Sequence, residues 1–143
     1  YNEDITRDST IIANWAHPDT QYILYMDTDG SGDGYRVYIE LVSGGHTGTS
    51  VNNINAIQDQ WQYVVTTFSS TKISLYVDAQ HIETVSFSAT TIEASTSNWA
   101  IGADVPNGGR DWNGNIAAVK IYNKELTASE ILQNYNALKD RFV

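Results

Sequence analysis

Cysteine is absent from this chain of 143 residues, and positively charged residues are scarce. Without thiols, the chain cannot form a disulfide framework, a cysteine-based zinc site or a thiol nucleophile. The absence does not decide the compartment, because a secreted domain of this size can fold without disulfides. No apolar run approaches the roughly 18 residues of a membrane-spanning helix, so we expect no membrane insertion.

The shortage of positive charge limits the possible partners. Lys and Arg number 8 against 17 Asp and Glu, which gives a formal net charge of −9 at pH 7. Binding to nucleic acid or to an anionic membrane surface requires clustered Lys and Arg. We therefore expect neither as a partner, whereas an acidic surface is compatible with cation binding and with high solubility.

Aromatic and small polar residues, by contrast, are abundant. The chain has four Trp, nine Tyr and three Phe, and its hydrophobic fraction of 41% excludes intrinsic disorder. A charged fraction of only 17%, with many Thr, Ser, Asn and Tyr residues, favours sheets with short polar connections. The chain opens on Tyr1 without a signal sequence, so we expect a processed product or a piece of a longer protein.

Alternating apolar and polar residues predict a series of short strands. Two such runs flank the Gly/Asp cluster of residues 29–34, a pattern typical of a β-hairpin. The second of these strands should present apolar residues to one side and polar residues to the other: Tyr35, Val37, Ile39 and Leu41 against Arg36, Tyr38 and Glu40. The predicted strands are 11–13, 22–27, 35–42, 61–68, 72–77, 82–87 and 99–103, with loops at 14–20, 43–55 and 105–111.

The last third of the chain predicts a strand followed by a helix. Ile116, Val119 and Ile121 are β-branched apolar residues typical of a half-buried strand. Thr127 and Glu130 have the spacing of a capping box, in which two side chains satisfy the free amides at a helix start. The apolar stripe expected on one face of this helix consists of Ile131, Leu132, Tyr135, Leu138 and Phe142.

This closing segment resembles that of the laminin G-like, concanavalin A-like jelly-roll family, whose members are mostly non-catalytic and bind glycans or proteins. The matching residues are Trp112, Gly114, Ile116, Val119, 121–123, Leu126, Thr127, Glu130 and Ile131, with further matches at Trp61, Val64, Phe68, 75–78, Ile101 and Gly102. Ala79 and Ala117 stand where the family has Gly and, often, Asp. The resemblance implies an all-β jelly-roll sandwich of two antiparallel sheets with a short C-terminal helix.

The resemblance also implies that a strand is missing. Family members usually carry one or two strands before the first strand predicted here, packed against the last strand. Only the first ten residues precede Ile11. We therefore expect one domain over residues 1–143 that lacks the usual N-terminal strand. Because soluble proteins avoid open sheet edges, we expect another segment or a strand-supplying partner chain to take its place.

The acidic residues and the histidines do not form a catalytic pattern. Glucanases of this fold place two carboxylates on one face of a strand, whereas the Glu residues here stand singly, at Glu3, Glu40, Glu83, Glu93, Glu125 and Glu130. The three histidines, His17, His46 and His81, have no Ser or carboxylate at the spacing of a triad or of a metal pair. The sequence therefore predicts a protein that is not an enzyme.

Two segments carry oxygen side chains that suit Ca²⁺. Asp27, Asp29 and Asp33 belong to a segment that matches the first half of a calcium-binding EF-hand loop. Tyr38 stands where that loop requires its closing Glu. Asp104 and Asp111 lie near Asn107 and Asn113 in a second polar loop. The competing interpretations, a hairpin turn and a plain polar loop, need no cation and are favoured at both places.

A sugar-binding surface requires an aromatic platform for the C–H face of the sugar and planar polar groups for its hydroxyls. The candidate ligand-binding residues are Trp15, Arg36, Tyr38, Trp99 and Arg110. Trp15, expected in a loop, is the most exposed of the aromatic candidates.

The sequence thus predicts a non-catalytic recognition module that binds carbohydrate and is part of a larger extracellular or virion protein. The alternative is a structural or assembly module of a viral capsid or fibre protein, which contacts neighbouring protein chains and binds no sugar. A fold alone does not separate these two functions.

Overall fold

The computed structural model describes residues 8–16, 19–28, 34–42, 46–48, 56–88, 91–92, 94–104 and 110–142. The strands are β1 (Ser9–Ala16), β2 (Asp19–Asp27), β3 (Gly34–Glu40), β4 (His46–Gly48), β5 (Val64–Phe68), β6 (Lys72–Val77), β7 (Gln80–Ser86) and β8 (Ala100–Ile101). Helix α1 (Ala128–Leu138) and a 3₁₀ turn (Lys139–Arg141) follow. Within these residues, no helix is long and apolar enough to cross a membrane.

The strands form two antiparallel sheets, which confirms the predicted all-β sandwich with a short C-terminal helix. One sheet has five strands in the order β4-β3-β2-β1-β8, and the other has three in the order β5-β6-β7. The core between them is built largely from alternate residues of β2, β3 and β6. On β3 the predicted apolar side is buried and the predicted polar side is half-buried, as expected.

The predicted hairpin around the Gly/Asp cluster is present, and β6 and β7 form a second hairpin. β2 pairs with β3 up to Asp27, which faces Gly34, the last residue of the Gly/Asp cluster. β6 and β7 are joined by Asp78 and Ala79, whose φ angles of 49° and 63° are those of a two-residue hairpin turn of type I′. The Asp78 carboxylate accepts a hydrogen bond from the Tyr63 amide at 2.8 Å, so this turn is tied to the start of β5.

Two predicted loops contain strands. β1 and β2 continue toward each other until Ala16 faces Asp19, so Trp15 lies on a strand opposite Thr20 and not in a loop. β4 lies inside the predicted loop 43–55 and pairs with the outer edge of β3. In both places a neighbouring strand supplies hydrogen-bond partners, and this outweighs the turn-forming composition.

The closing segment follows its prediction only in part. The capping box of Thr127 and Glu130 is confirmed, and Ile131 is fully buried. Leu132, which belongs to the predicted apolar stripe, is not buried with Ile131, because it is 49% exposed. The predicted closing strand is also wrong, since residues 115–123 form no strand and Ile121 is 71% exposed. A spacing of three between Ile116 and Val119 directs the two side chains to opposite faces of an extended chain, so they cannot share a buried face.

Candidate functional site: an aromatic face on the five-stranded sheet

A second apolar cluster lies on the outer side of the five-stranded sheet, away from the core. Ala13, Ile23 and Tyr25 form its buried centre, and Trp15 and Tyr38 pack against them. These residues alternate with the core residues of β1, β2 and β3, and the register places Ala13 opposite Ile23 and Ile23 opposite Tyr38. We call this surface the aromatic face.

Two tyrosine rings form the middle of the aromatic face, and each ring lies beside a guanidinium group. The rings of Tyr25 and Tyr38 are stacked, with centroids 6.1 Å apart and an interplanar angle of 20°. The guanidinium carbon of Arg36 lies 5.1 Å from the Tyr38 centroid, and that of Arg110 lies 5.5 Å from the Tyr25 centroid. Cation–π attraction at such distances holds both arginines against the rings.

Arg36 and Asp27 form an ion pair at the β2–β3 end of this surface. Arg36 Nη1 donates to Asp27 Oδ2, and the Tyr25 hydroxyl donates to the same oxygen over 3.4 Å. Arg36 is also the direct cross-strand partner of Tyr25. Burial raises the pKa of Tyr25 well above its usual value, and the charge of Asp27 raises it further, so the hydroxyl stays protonated and can donate.

Arg110 reaches the aromatic face through the backbone of β1. The Thr10 amide donates to the Arg110 carbonyl over 2.7 Å, and Thr10 is the cross-strand partner of Tyr25. Arg110 Nε lies 3.9 Å from Asp104 Oδ2, a second and looser ion pair. Burial raises the pKa of Asp104, and the neighbouring Arg110 offsets part of that rise.

The sequence profile of the concanavalin A-like lectin/glucanases superfamily, in its laminin G-like form, matches residues 2–132. The chain belongs to this superfamily. Among solved structures, it is similar to an S-layer domain-containing protein from Clostridium thermocellum, with 16% sequence identity and a TM-score of 0.44. That match covers 94% of this chain and 66% of the other, so the chain spans slightly less than two thirds of that structure's length. No curated protein sequence matches the chain.

The fold of this laminin G-like chain brings four of the five predicted ligand-binding residues to one surface. They are Trp15, Arg36, Tyr38 and Arg110. The fifth, Trp99, lies elsewhere: its ring is 5.7 Å from the ring of the core residue Tyr22. Tyr25, the centre of the surface, is not among the predicted ligand-binding residues. The alternation of residues 22–27 would have placed its side chain on the other side of the strand from Leu24.

The predicted calcium ligands do not form a cluster in the described part of the chain. Asp29 and Asp33 lie outside the described residues, and the Asp27 carboxylate is engaged by Arg36. Asp111 is exposed, and Asp104 pairs with Arg110. Among the described residues, no three His, Asp or Glu side chains come together as a group that suits a metal ion. Both calcium sites stay predictions.

A large groove lies on the other side of the sheet, beside the closing segment. Its cavity measures about 880 Å³ and lies between β5 and residues 115–126. Core residues such as Tyr22 and Leu24 form part of its lining, and Trp99 and Trp112 contribute aromatic surface. Within the described residues, β5 is one of the two edge strands of the three-stranded sheet. We call this feature the lateral groove.

Proposed function

We propose that this chain is a non-catalytic carbohydrate-binding module of a larger extracellular or virion-surface protein, and that the sugar binds to the aromatic face. The observation that carries the proposal is the stack of Tyr25 and Tyr38 with an ion-paired arginine beside each ring. Sugars present C–H groups on one face and hydroxyls around the rim, so they fit aromatic rings bordered by planar polar groups.

Each residue has a distinct role in this proposal. Trp15 packs at the edge of the cluster and is only half-buried, so part of its ring is available as a platform for the sugar. Arg36 and Arg110 supply N–H donors, and their side chains are 27% and 41% exposed. Asp27 and Asp104 supply acceptor oxygens for hydroxyl groups. Tyr25 is buried and holds the other side chains in position.

Binding without hydrolysis is the more consistent activity for this surface. A glycosidase requires one carboxylic acid to protonate the leaving oxygen and a second carboxylate to act as nucleophile or base. Asp27 and Asp104 instead lie against guanidinium groups. Because the superfamily includes glucanases as well as lectins, the test must include product analysis.

A glycan array, with and without calcium, tests the proposal. We expect binding to at least one glycan class, with the sugar recovered intact afterwards. Release of shortened sugars from a bound oligosaccharide would contradict the non-catalytic assignment. Failure to bind any glycan would remove the carbohydrate proposal and favour the assembly alternative.

The lateral groove is the observation that favours the assembly alternative. Within the described residues, β5 pairs with another strand on one side only. Residues 115–123 line the groove together with β5 but do not form a strand. Exposed strand edges accept strands from other chains. In this alternative, an extended segment of a neighbouring copy in a multi-copy assembly occupies the groove beside β5.

Sedimentation analysis over a range of protein concentrations tests the alternative. Ile121 lines the groove and is 71% exposed, so Ile121→Lys should leave folding unchanged while placing a charge in the contact. Association of the wild-type protein that is lost in Ile121→Lys would support assembly. A monomer at every concentration would contradict it.

A further inference from the structure

The charges on the aromatic face are already paired, and this pairing determines which class of glycan the face can accept. Arg36 is bound to Asp27, and Arg110 lies against Asp104. Glu40 lies on the same side of β3 as Arg36 and Tyr38, because all three alternate with the buried side of that strand. Among the described residues, the charged groups on and beside the face therefore sum to no positive excess.

We propose that the glycan bound by the aromatic face is uncharged, and that glycans bearing uronate or sulfate groups are excluded. This inference rests on the carbohydrate-binding function proposed above. It adds the chemical class of the ligand.

The first argument is the cost of replacing an ion pair. An anionic sugar at Arg36 or Arg110 would either share the guanidinium with the aspartate already paired to it, which places two negative charges side by side, or displace that aspartate. The displaced carboxylate would then remain near the sugar's own negative charge, in a partly buried position where the repulsion is weakly screened. The cost is larger for Asp27, whose side chain is 9% exposed against 18% for Asp104, because the more buried carboxylate is less able to swing into water.

The second argument is the field of the whole protein. The formal net charge is −9 at pH 7, and such a charge repels an approaching anion. A surface that recognises anions in this environment would need a local surplus of Lys or Arg. The described residues of the aromatic face supply two arginines, and both are matched by an aspartate.

An uncharged sugar, in contrast, uses the ion pairs without breaking them. A guanidinium has five N–H donors and a carboxylate has several acceptor positions, so one Arg–Asp pair can serve two neighbouring hydroxyls while its members stay in contact. The rings of Trp15 and Tyr38 supply the apolar contact. Binding of this kind involves no net neutralisation of charge, so its affinity should change little with salt.

The test is a binding titration with neutral oligosaccharides and with uronate or sulfated oligosaccharides of equal length, each at low and at high NaCl. We expect binding to neutral members only, with affinities nearly independent of NaCl. Equal or tighter binding of acidic members, weakened by salt, would overturn this inference and leave the proposed function standing. Binding to neither class would overturn the proposed function itself.

A matched pair of charge variants sharpens the test. Asp104→Asn releases Arg110 from its ion pair, so the residual weak affinity for a uronate oligosaccharide should improve by about threefold, the value of one partly exposed ion pair. Asp140→Asn makes the same change in net charge on the exposed 3₁₀ turn and should have no effect. An equal improvement in both variants would show that net charge alone controls selectivity and would contradict the role assigned to the Arg110–Asp104 pair.

Discussion

Arg110 and Tyr25 are distant in the sequence, yet the guanidinium carbon of Arg110 lies 5.5 Å from the centre of the Tyr25 ring. Thr10 connects them, since it pairs with Tyr25 across the sheet and its amide donates to the Arg110 carbonyl. The backbone of β1 therefore determines where Arg110 lies. A change that weakened β1 should disturb the aromatic face even without touching a side chain of that face.

The helix cap is a local feature with a measurable effect on stability. The Thr127 side chain accepts a hydrogen bond from the Glu130 amide at 3.3 Å. Thr127→Ala removes that acceptor and should lower the free energy of unfolding by about 1 kcal/mol. Ser129→Ala, at an exposed position two residues after Thr127, is the control and should have almost no effect. Equal urea midpoints for the wild type and Thr127→Ala would contradict the cap.

Glu130 should contribute to the acid sensitivity of the protein. Its hydrogen bonds with Lys124 and Thr127 lower its pKa from 4.5 to about 2. The stabilisation is therefore fully present above pH 4.5 and is lost as the pH falls through about 2. Glu130→Gln keeps a capping acceptor but cannot titrate, so its urea midpoint should fall less than that of the wild type between these pH values. Parallel pH profiles would show that Glu130 has an ordinary pKa.

Ala79 should carry backbone strain. Its φ of 63° lies in the left-handed region, where a β-carbon is unfavourable. Ala79→Gly should raise the free energy of unfolding by about 1 kcal/mol, because relief of strain exceeds the added entropy of the unfolded chain. Thermal unfolding measures the change, and Ala128→Gly at the start of α1 should have the opposite sign. A destabilised Ala79→Gly protein would contradict the type I′ turn.

The calcium hypothesis makes a prediction that the turn interpretation does not. If residues 27–33 hold Ca²⁺, calcium should raise the Tm and shift the NMR signals of the β2–β3 hairpin, and Asp29→Asn should remove both effects. The ion pair between Asp27 and Arg36 favours the turn interpretation. Titration of the wild type with calcium, followed by the Tm and by the NMR signals, decides between the calcium site and the plain turn. An unchanged Tm together with unchanged NMR signals would rule out the site.

Features that depend on neighbouring residues in the sequence were predicted well. The two faces of β3 and the cap of α1 follow from spacing alone, and both are confirmed. Several features that depend on a partner strand were not. Trp15 is on a strand because β2 faces it, and residues 115–123 are not a strand although they contain β-branched residues.

The composition of the aromatic face was predicted more completely than its arrangement. Chemistry alone selected Trp15, Arg36, Tyr38 and Arg110, but it also selected Trp99, which packs near Tyr22 beside the lateral groove. Alternation along one strand separates its residues onto two sides, as for Tyr38, but on β1 the sheet register is needed to place Trp15, because a single bulge reverses the side.

Isothermal titration calorimetry of an array-positive neutral oligosaccharide against the Trp15→Ala and Trp99→Ala proteins tests the central claim most directly. Both changes remove a partly exposed tryptophan, but only Trp15 belongs to the aromatic face. The proposal predicts that Trp15→Ala loses at least about tenfold in affinity, the value of one stacking contact of about 1.4 kcal/mol. The near-UV circular dichroism of Trp15→Ala should remain that of a folded protein, and Trp99→Ala should bind as the wild type does. Unchanged affinity in a folded Trp15→Ala protein, or a loss confined to Trp99→Ala, would contradict the claim.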